Sequence, residues 1–143
     1  MPAPSNPAPL VKAKREVPRG IRNGRGWLSS IKQMVRAYDK ATAADDESAR
    51  EDAERAIQES PLSLEIRSGW TIPGRKMEAE DFCLLLSTGG PALRLVGAID
   101  GDWLRMEWQD WGTLWTALPL TRAQEEACAE FVRIIGVECY AHE

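Results

Sequence analysis

The side chains that usually carry enzymatic chemistry are scarce in this sequence. Its one histidine, His142, is the second-last residue, and we predict that it is functionally silent because terminal residues are usually poorly ordered. A Ser-His-Asp or Cys-His hydrolase needs an imidazole held between a nucleophile and an acid, and zinc sites of the usual Cys/His kind need imidazoles or paired thiolates. The three cysteines, Cys83, Cys128 and Cys139, form no Cys-x-x-Cys pair and are predicted to be reduced thiols. We therefore expect no enzyme, no metal site and no cofactor.

Two short motifs share some features of ligand-binding loops. Ser87-Thr88-Gly89-Gly90 has the small residues of a phosphate loop, but a proline and a predicted strand follow it, whereas a phosphate loop leads into a helix. Asp100-Gly101-Asp102 lacks the remaining ligands of a calcium loop. Both are predicted to be turns. A hydrolytic carboxylate pair drawn from Glu65, Glu107 and Asp110 is the lowest-ranked alternative, because the sequence does not place these acids together.

Charge is distributed unevenly along the chain. The whole sequence has a formal net charge of −4, whereas residues 1–26 hold six basic residues and one acid, so the remainder carries −9. Five of the nine prolines lie in the same segment, and this composition predicts a disordered arm over residues 1–26. Two interpretations stay open: a solubilising leader, or a polybasic arm that contacts nucleic-acid phosphates or an acidic partner. Its basic residues are Lys12, Lys14, Arg15, Arg19, Arg22 and Arg25.

The densest charge run in the rest of the chain is acidic. We expect a solvated helix face or turn, and the functional alternative is an imitation of a nucleic-acid backbone that presents carboxylates to a basic groove on a partner. Arg50 and Arg55 lie among these acids and weaken that alternative. The acids are Asp45, Asp46, Glu47, Glu51, Asp52 and Glu54.

Tryptophan is unusually frequent, with six residues against four phenylalanines and tyrosines together. Trp108 alternates with inward-facing apolar residues and is predicted to be core. Four others fall at predicted strand ends or in loops, where they either fold back to seal the sheet or form a binding surface, since tryptophan is enriched in interface hot spots. These four candidates are Trp70, Trp103, Trp111 and Trp115.

The first half of the chain predicts a helical hairpin. Apolar residues recur at steps of three and four from Trp27 to Tyr38, which indicates one buried helix face with Lys32, Arg36 and Lys40 on the other side. A charged stretch follows, in which Ser48 and Glu51 have the spacing of a capping box for a second helix, ending before Ser60-Pro61. A single long helix with a charged middle stays possible.

The second half predicts four strands and a helix. Apolar and polar residues alternate over residues 62–67, which predicts a half-buried strand. Phe82–Leu86 is apolar on both faces and predicts a strand covered on both sides. Two further strands around the turn at Asp100-Gly101 complete a predicted antiparallel meander. Thr121 and Gln124 have capping-box spacing at the start of a final helix, which a glycine cap at Gly136 ends. The predicted class is α+β, with an N-terminal helical hairpin, a four-stranded mainly antiparallel sheet and a C-terminal helix in one domain over residues 27–143.

Several short sequence segments of the strand region resemble the sequences of a group of small proteins of phages and prophages in proteobacteria. The resemblance spans about residues 48–135 and departs from the group's pattern at Leu114, where proline is expected. It implies an accessory phage protein that binds and blocks host machinery, of the anti-CRISPR or other anti-defence type. The segments are Pro61-Leu62-Ser63, Arg67-Ser68-Gly69-Trp70, Leu86-Ser87-Thr88-Gly89-Gly90-Pro91-Ala92 and Gln109-Asp110-Trp111-Gly112-Thr113.

Two hypotheses follow. The first is a non-catalytic inhibitor that occludes a host protein, with a bacterial defence nuclease complex as the expected class of target. It would bind through the four loop tryptophans and, second, through Asp45, Asp46, Glu47 and Glu51. The alternative is an accessory protein that binds DNA or RNA through its basic arm. The sequence contains neither a run of 18 apolar residues nor a secretory signal pattern, so we expect a cytoplasmic protein without a membrane partner.

Overall fold

The order of helices and strands confirms the α+β class. A computed structural model describes residues 17–140, beginning with a helical hairpin and ending with a single helix and a short 3-10 helix, Val137–Tyr140. In chain order, the strands of an antiparallel sheet come between them. The elements are α1 (Arg19–Ala43), α2 (Glu47–Glu59), β1 (Ser63–Ser68), β2 (Ala79–Ser87), β3 (Ala92–Ala98), β4 (Leu104–Gln109), β5 (Thr116–Leu118) and α3 (Arg122–Ile135).

The sheet is a meander in which every neighbouring pair of strands is antiparallel, in the order β1-β2-β3-β4-β5. Its five strands correct the predicted four. The additional strand, β5, has only three residues, too few to show an alternating pattern, and pairs Leu118 with Met106 of β4. The turns at Gly89 and Gly101 have positive φ angles of 84° and 86°, so both predicted turns are confirmed.

All three helices pack on one face of the sheet, which we call the helical face. Alternate residues of β2, β3 and β4 point into this core, where they meet the apolar side of α1. Phe131 of α3 and Ile57 of α2 are fully buried in the same cluster. The opposite face, which we call the open face, carries the intervening residues of the strands. Most polar and charged side chains of the strands lie on this face, towards solvent.

The prediction that β2 is covered on both sides is wrong. Phe82, Leu84 and Leu86 are buried against the helices, whereas Cys83 and Leu85 are only half-buried on the open face. Among residues 17–140 that face is shielded by side chains, not by a second layer of helices or strands. A run of apolar residues therefore marked one buried face and one partly shielded face.

Helix α1 begins at Arg19, so the disordered arm predicted over residues 1–26 is too long. Residues 19–26 form the first two turns of α1, and Gly20 and Gly24 are buried there. A Cβ on Gly20 would lie 2.2 Å from a ring atom of Trp108, so the helix approaches β4 closely only because Gly20 has no side chain. Lys12, Lys14, Arg15 and His142 lie outside the described residues.

The helix ends follow from capping side chains. The capping box at the start of α3 is confirmed, with Thr121 and Gln124 bonded reciprocally, and Gly136 ends the helix in the left-handed conformation. The box predicted at Ser48 is wrong, because α2 begins two residues earlier and its N-cap is Asp46, whose carboxylate accepts from the Ala49 amide at 3.1 Å. Asp45, with φ of 52°, makes the tight turn of the helical hairpin.

Candidate functional site

The meander separates the four candidate tryptophans. Trp70 and Trp111 are almost fully exposed, in the β1–β2 and β4–β5 loops, whereas Trp103 and Trp115 are half-buried. Because successive connections of a meander alternate between the two ends of the sheet, Trp70 and Trp103 lie at one end and Trp111 and Trp115 at the other. The tryptophans therefore do not form one continuous surface.

Trp103 and Trp115 each stack on an arginine of the open face. The Arg94 guanidinium carbon lies 3.9 Å from the centre of the Trp115 ring, and that of Arg105 lies 4.8 Å from the Trp103 ring. Between the two arginines lies Glu107, only 8% exposed, which accepts from Arg94 at 2.8 and 2.9 Å and lies 3.6 Å from Arg105. These five side chains form a continuous row of indole, guanidinium, carboxylate, guanidinium and indole.

A cavity of about 280 Å³ opens beside this row on the open face. Its charges are balanced within the cavity itself, since Arg67 pairs with Asp81 at 2.8 Å and Arg94 pairs with Glu107. Burial raises the pKa of the Cys83 thiol that lines it, partly opposed by the nearby Arg94. A thiol that stays protonated is a poor nucleophile. The cavity thus offers a neutral, internally paired surface.

The acidic run is divided between capping, ion pairing and solvent. Asp46 caps α2, and Glu47 lies 3.8 Å from Arg50 of the same helix. Asp52 pairs with Arg55 at 3.4 Å in the same way. Glu51 is exposed on α2. These two arginines lie within the negative surface of α2, which weakens its likeness to a nucleic-acid backbone.

The cations of α1 lie on one exposed side of the helix. Arg22, Arg25, Lys32, Arg36 and Lys40 are separated by three, seven, four and four positions, a spacing that places them on one side of a helix. The buried residues Leu28, Ile31 and Val35 lie on a neighbouring side of the helix, and every one of these cations is exposed. Together with Arg19 these side chains define the basic face of α1.

None of the six cations of the basic face makes an ion pair or side-chain hydrogen bond within residues 17–140. By contrast, arginines of α2, α3 and three strands all pair with carboxylates. Arg19, Arg22 and Arg25 were predicted to belong to a separate arm, which hid their continuity with Lys32, Arg36 and Lys40. Their helical spacing was the signal that could have shown it.

A groove of about 650 Å³ lies between the start of α1 and the β2–β3 turn. It brings Arg19 and Arg22 next to Ser87-Thr88-Gly89-Gly90, and Trp27 forms part of its wall. The motif that reads as a simple turn in the sequence therefore faces two unpaired cations of the basic face. Within the described residues, no acidic side chain lines this groove.

Comparisons with known proteins returned no match. No protein-family model, curated protein or solved structure matches the chain. The resemblance to phage and prophage proteins therefore stays a prediction. Residues 17–140 contain no group of three or more His, Cys, Asp or Glu side chains placed to hold a metal ion. In the same part of the chain, no helix has the length and apolar character needed to cross a membrane.

Proposed function

We propose that this protein binds nucleic acid through the basic face of α1. The observation that carries the proposal is the set of six cations on one exposed helix side without an ion-pair partner among residues 17–140. Unpaired surface cations repel each other, and contacts with phosphates relieve that repulsion while releasing counterions. The formal net charge of −4 does not oppose this, since phosphates respond to the local surface.

The dimensions of the basic face suit an extended polyanion. From Arg22 to Lys40 the helix rises about 27 Å at 1.5 Å per residue, which matches the length of about eight base pairs of duplex. Arg19 and Arg22 continue the surface into the groove at the β2–β3 turn. In the sequence, Lys12, Lys14 and Arg15 come shortly before this end of the helix and add further positive charge.

The burial of the apolar side of α1 argues against a lipid surface as the ligand. A helix that lies on a membrane inserts an exposed apolar face between lipids. Leu28, Ile31 and Val35 are instead buried against the sheet, and the exposed side of the helix is polar. A nucleic acid presents phosphodiester groups without an apolar layer, and therefore matches the exposed side of α1 better than a membrane does.

Binding of fluorescein-labelled oligonucleotides, followed by anisotropy from 50 to 200 mM salt, tests the proposal. The six phosphate contacts of a single basic face predict a slope of log affinity against log salt of about −4 for single strands and about −5 for duplex, or roughly a thousandfold loss on duplex over this range. The variant K32Q/R36Q/K40Q is expected to make the slope shallower by about 2 to 3. Deletion of residues 1–16 is the suitable truncation, because deletion through residue 26 would remove two turns of α1.

The matched control is R55Q/R122Q/R133Q, which removes the same number of charges from arginines that are ion-paired elsewhere on the helices. We expect it to bind as the wild type does. Equal weakening by the two triple variants would reject a role for the basic face and leave only an effect of net charge. Absence of binding by the full chain at 50 mM salt would reject the function itself.

The exposed Trp70 favours a second candidate function, the occlusion of a host protein by a phage or prophage product. Trp70, Ile72 and Met77 are all exposed in the β1–β2 loop, and large exposed apolar side chains are typical of protein interfaces. This candidate is tested by capture of a host complex at high salt with wild type and W70A. Trp111, exposed at the other end of the sheet, serves as the matched control through W111A. Equal capture by the wild type and W70A would reject this surface.

A further inference from the structure

The two edges of the sheet differ in how well they are closed. β5 has three residues and is followed by Pro119, a combination that prevents further strand pairing. β1 has six residues, all without proline, and pairs on one side with β2. It also carries large exposed apolar side chains, Leu62 just before it (60% exposed) and Ile66 within it (44% exposed). An edge of this kind is a template for another strand.

The charges on β1 are complementary to those of a second copy of the same strand. Glu65 and Arg67 flank Ile66, and both point to the open face because their β2 partners are Cys83 and Asp81. In an antiparallel pair related by a two-fold axis through Ile66, the Glu65 of each copy lies directly opposite the Arg67 of the other. Opposite charges at such positions stabilise a strand pair, and like charges destabilise it.

The same register also pairs the exposed apolar residues. On the helical face, Ile66 meets its own counterpart at the two-fold axis. Two residues beyond Ser68, the sequence brings Trp70 of one copy opposite Leu62 of the other. Both side chains are exposed in the single chain, and burial of one against the other removes apolar surface from water.

We propose that β1 pairs with β1 of a second copy, in the antiparallel register centred on Ile66, to form a dimer with a continuous ten-stranded sheet. This proposal is independent of nucleic-acid binding, because the interface is formed by the edge strand β1 and contains none of the cations of the basic face on α1. A two-fold interface requires self-complementarity, and the Glu65–Arg67 pattern supplies it.

Complementary charge variants test the register directly. E65R leaves arginine at both positions of β1, and R67E leaves glutamate at both. Each variant alone then opposes like charges twice across the two-fold axis, so sedimentation equilibrium should show its dimer dissociation constant raised about tenfold or more over wild type. An equimolar mixture restores both opposite-charge pairs and should form heterodimers with a mass of twice 15.9 kDa.

Controls separate the interface from damage to the fold. Arg67 also pairs with Asp81, so circular dichroism must show that R67E is folded. E59R changes the same charge at an exposed residue of α2 and should dimerise as wild type. A wild type that is monomeric at every concentration measured overturns the proposal, and so does a dimer that E65R and R67E leave unchanged.

Disulfide trapping tests the register without changing charge. In a background with Cys139 replaced by serine, I66C should cross-link to its own counterpart, because directly opposed Cβ atoms lie about 5 Å apart and a small shift brings them within disulfide range. S63C is the matched control on the same strand, since the two copies of residue 63 would be six positions, or roughly 20 Å, apart. Efficient trapping of S63C, or none of I66C, rejects the register.

Discussion

Two glycines of α1 provide a matched test of how this helix meets the sheet. Replacing a glycine inside a helix by alanine ordinarily stabilises the helix by about 1 kcal/mol. Gly26 is exposed, and no described atom lies within 4 Å of the position its Cβ would take, so G26A should show this gain. At Gly20 the new Cβ would instead lie 2.2, 2.4 and 2.9 Å from three atoms of the Trp108 ring.

The Trp108 ring cannot easily move away from an alanine at position 20. Carbon atoms in favourable contact are about 3.5–4.0 Å apart, so the ring or the helix must shift by more than ~1 Å. Trp108 lies in β4 between Leu93 and Thr116 of the neighbouring strands, which fixes its backbone. Overpacking of this kind costs about 1–3 kcal/mol. Since both variants share the helix gain, G20A should be less stable than G26A by that amount.

Urea unfolding, followed by the helix signal in circular dichroism at about 222 nm, measures this difference. Thermal unfolding should show it as about 3–5 °C per kcal/mol. The slope of the free energy against urea should stay equal in the two variants, since neither changes the surface exposed on unfolding. Equal stability of G20A and G26A would refute the reasoning, because it would mean that residues 19–26 do not pack against β4.

Two further perturbations probe the contacts of one buried and one half-buried carboxylate. E107Q keeps the volume of the buried side chain but leaves Arg94 without its counterion. We therefore expect the free energy of unfolding, measured with urea, to fall by about 1–3 kcal/mol. A change below about 0.5 kcal/mol, the effect of an ordinary surface substitution, would contradict this. A hydrogen bond with Asp39 raises the pKa of Glu130 above its ordinary 4.5, so the folded state binds this proton more tightly than the unfolded state. Its contribution to stability is therefore present below pH 4.5 and is lost as the pH rises through the higher folded-state value, and E130Q should reduce this pH dependence in thermal unfolding. An unchanged pH profile in E130Q would show that another group causes it.

The parts of the fold that the sequence predicted are those with strong local signals. The capping box at Thr121 and the glycine at Gly136 define α3 through contacts within a few residues, and both predictions are confirmed. Apolar spacing from Trp27 to Tyr38 identified the buried side of α1 for the same reason. Local capping failed where two solutions compete, since Asp46 and Ser48 are both good N-caps and the chain uses Asp46.

The missed start of α1 has a tertiary cause. Residues 19–26 contain three arginines and three glycines, a composition that by itself favours an irregular chain. Gly20 and Gly24 are suited to this helix only because they lie against Trp108 and Leu118, which are almost ninety residues or more away in sequence. Periodicity within a short window cannot detect such a contact. The error moved three of the six basic-face cations into a supposed arm and hid the surface that α1 presents.

The candidate site was predictable in its residue types but not in its arrangement. The sequence left two interpretations of Trp103 and Trp115 open, a binding surface or closure of the sheet, and their stacking on Arg105 and Arg94 depends on the register of β3 against β4. The same register places Glu107 opposite Arg94. A one-residue change of register would turn these side chains to the helical face, so only the paired strands determine the row.

The dimer and the basic face have a joint geometric consequence. A two-fold axis normal to the sheet keeps each face on its own side, so edge pairing of β1 leaves both α1 helices on the same side of the ten-stranded sheet. One nucleic acid could then contact two basic faces, and affinity would exceed that of one face by the effective concentration of the second. E65R should therefore make the salt slope shallower, towards the value of a single face, although all six cations of each face are still present. K32Q/R36Q/K40Q should reduce the slope of each face while leaving the sedimentation of the dimer unchanged, because the substituted residues are not on β1. Both variants change the salt slope, but only E65R changes the sedimentation of the dimer, so either proposal can fail without the other.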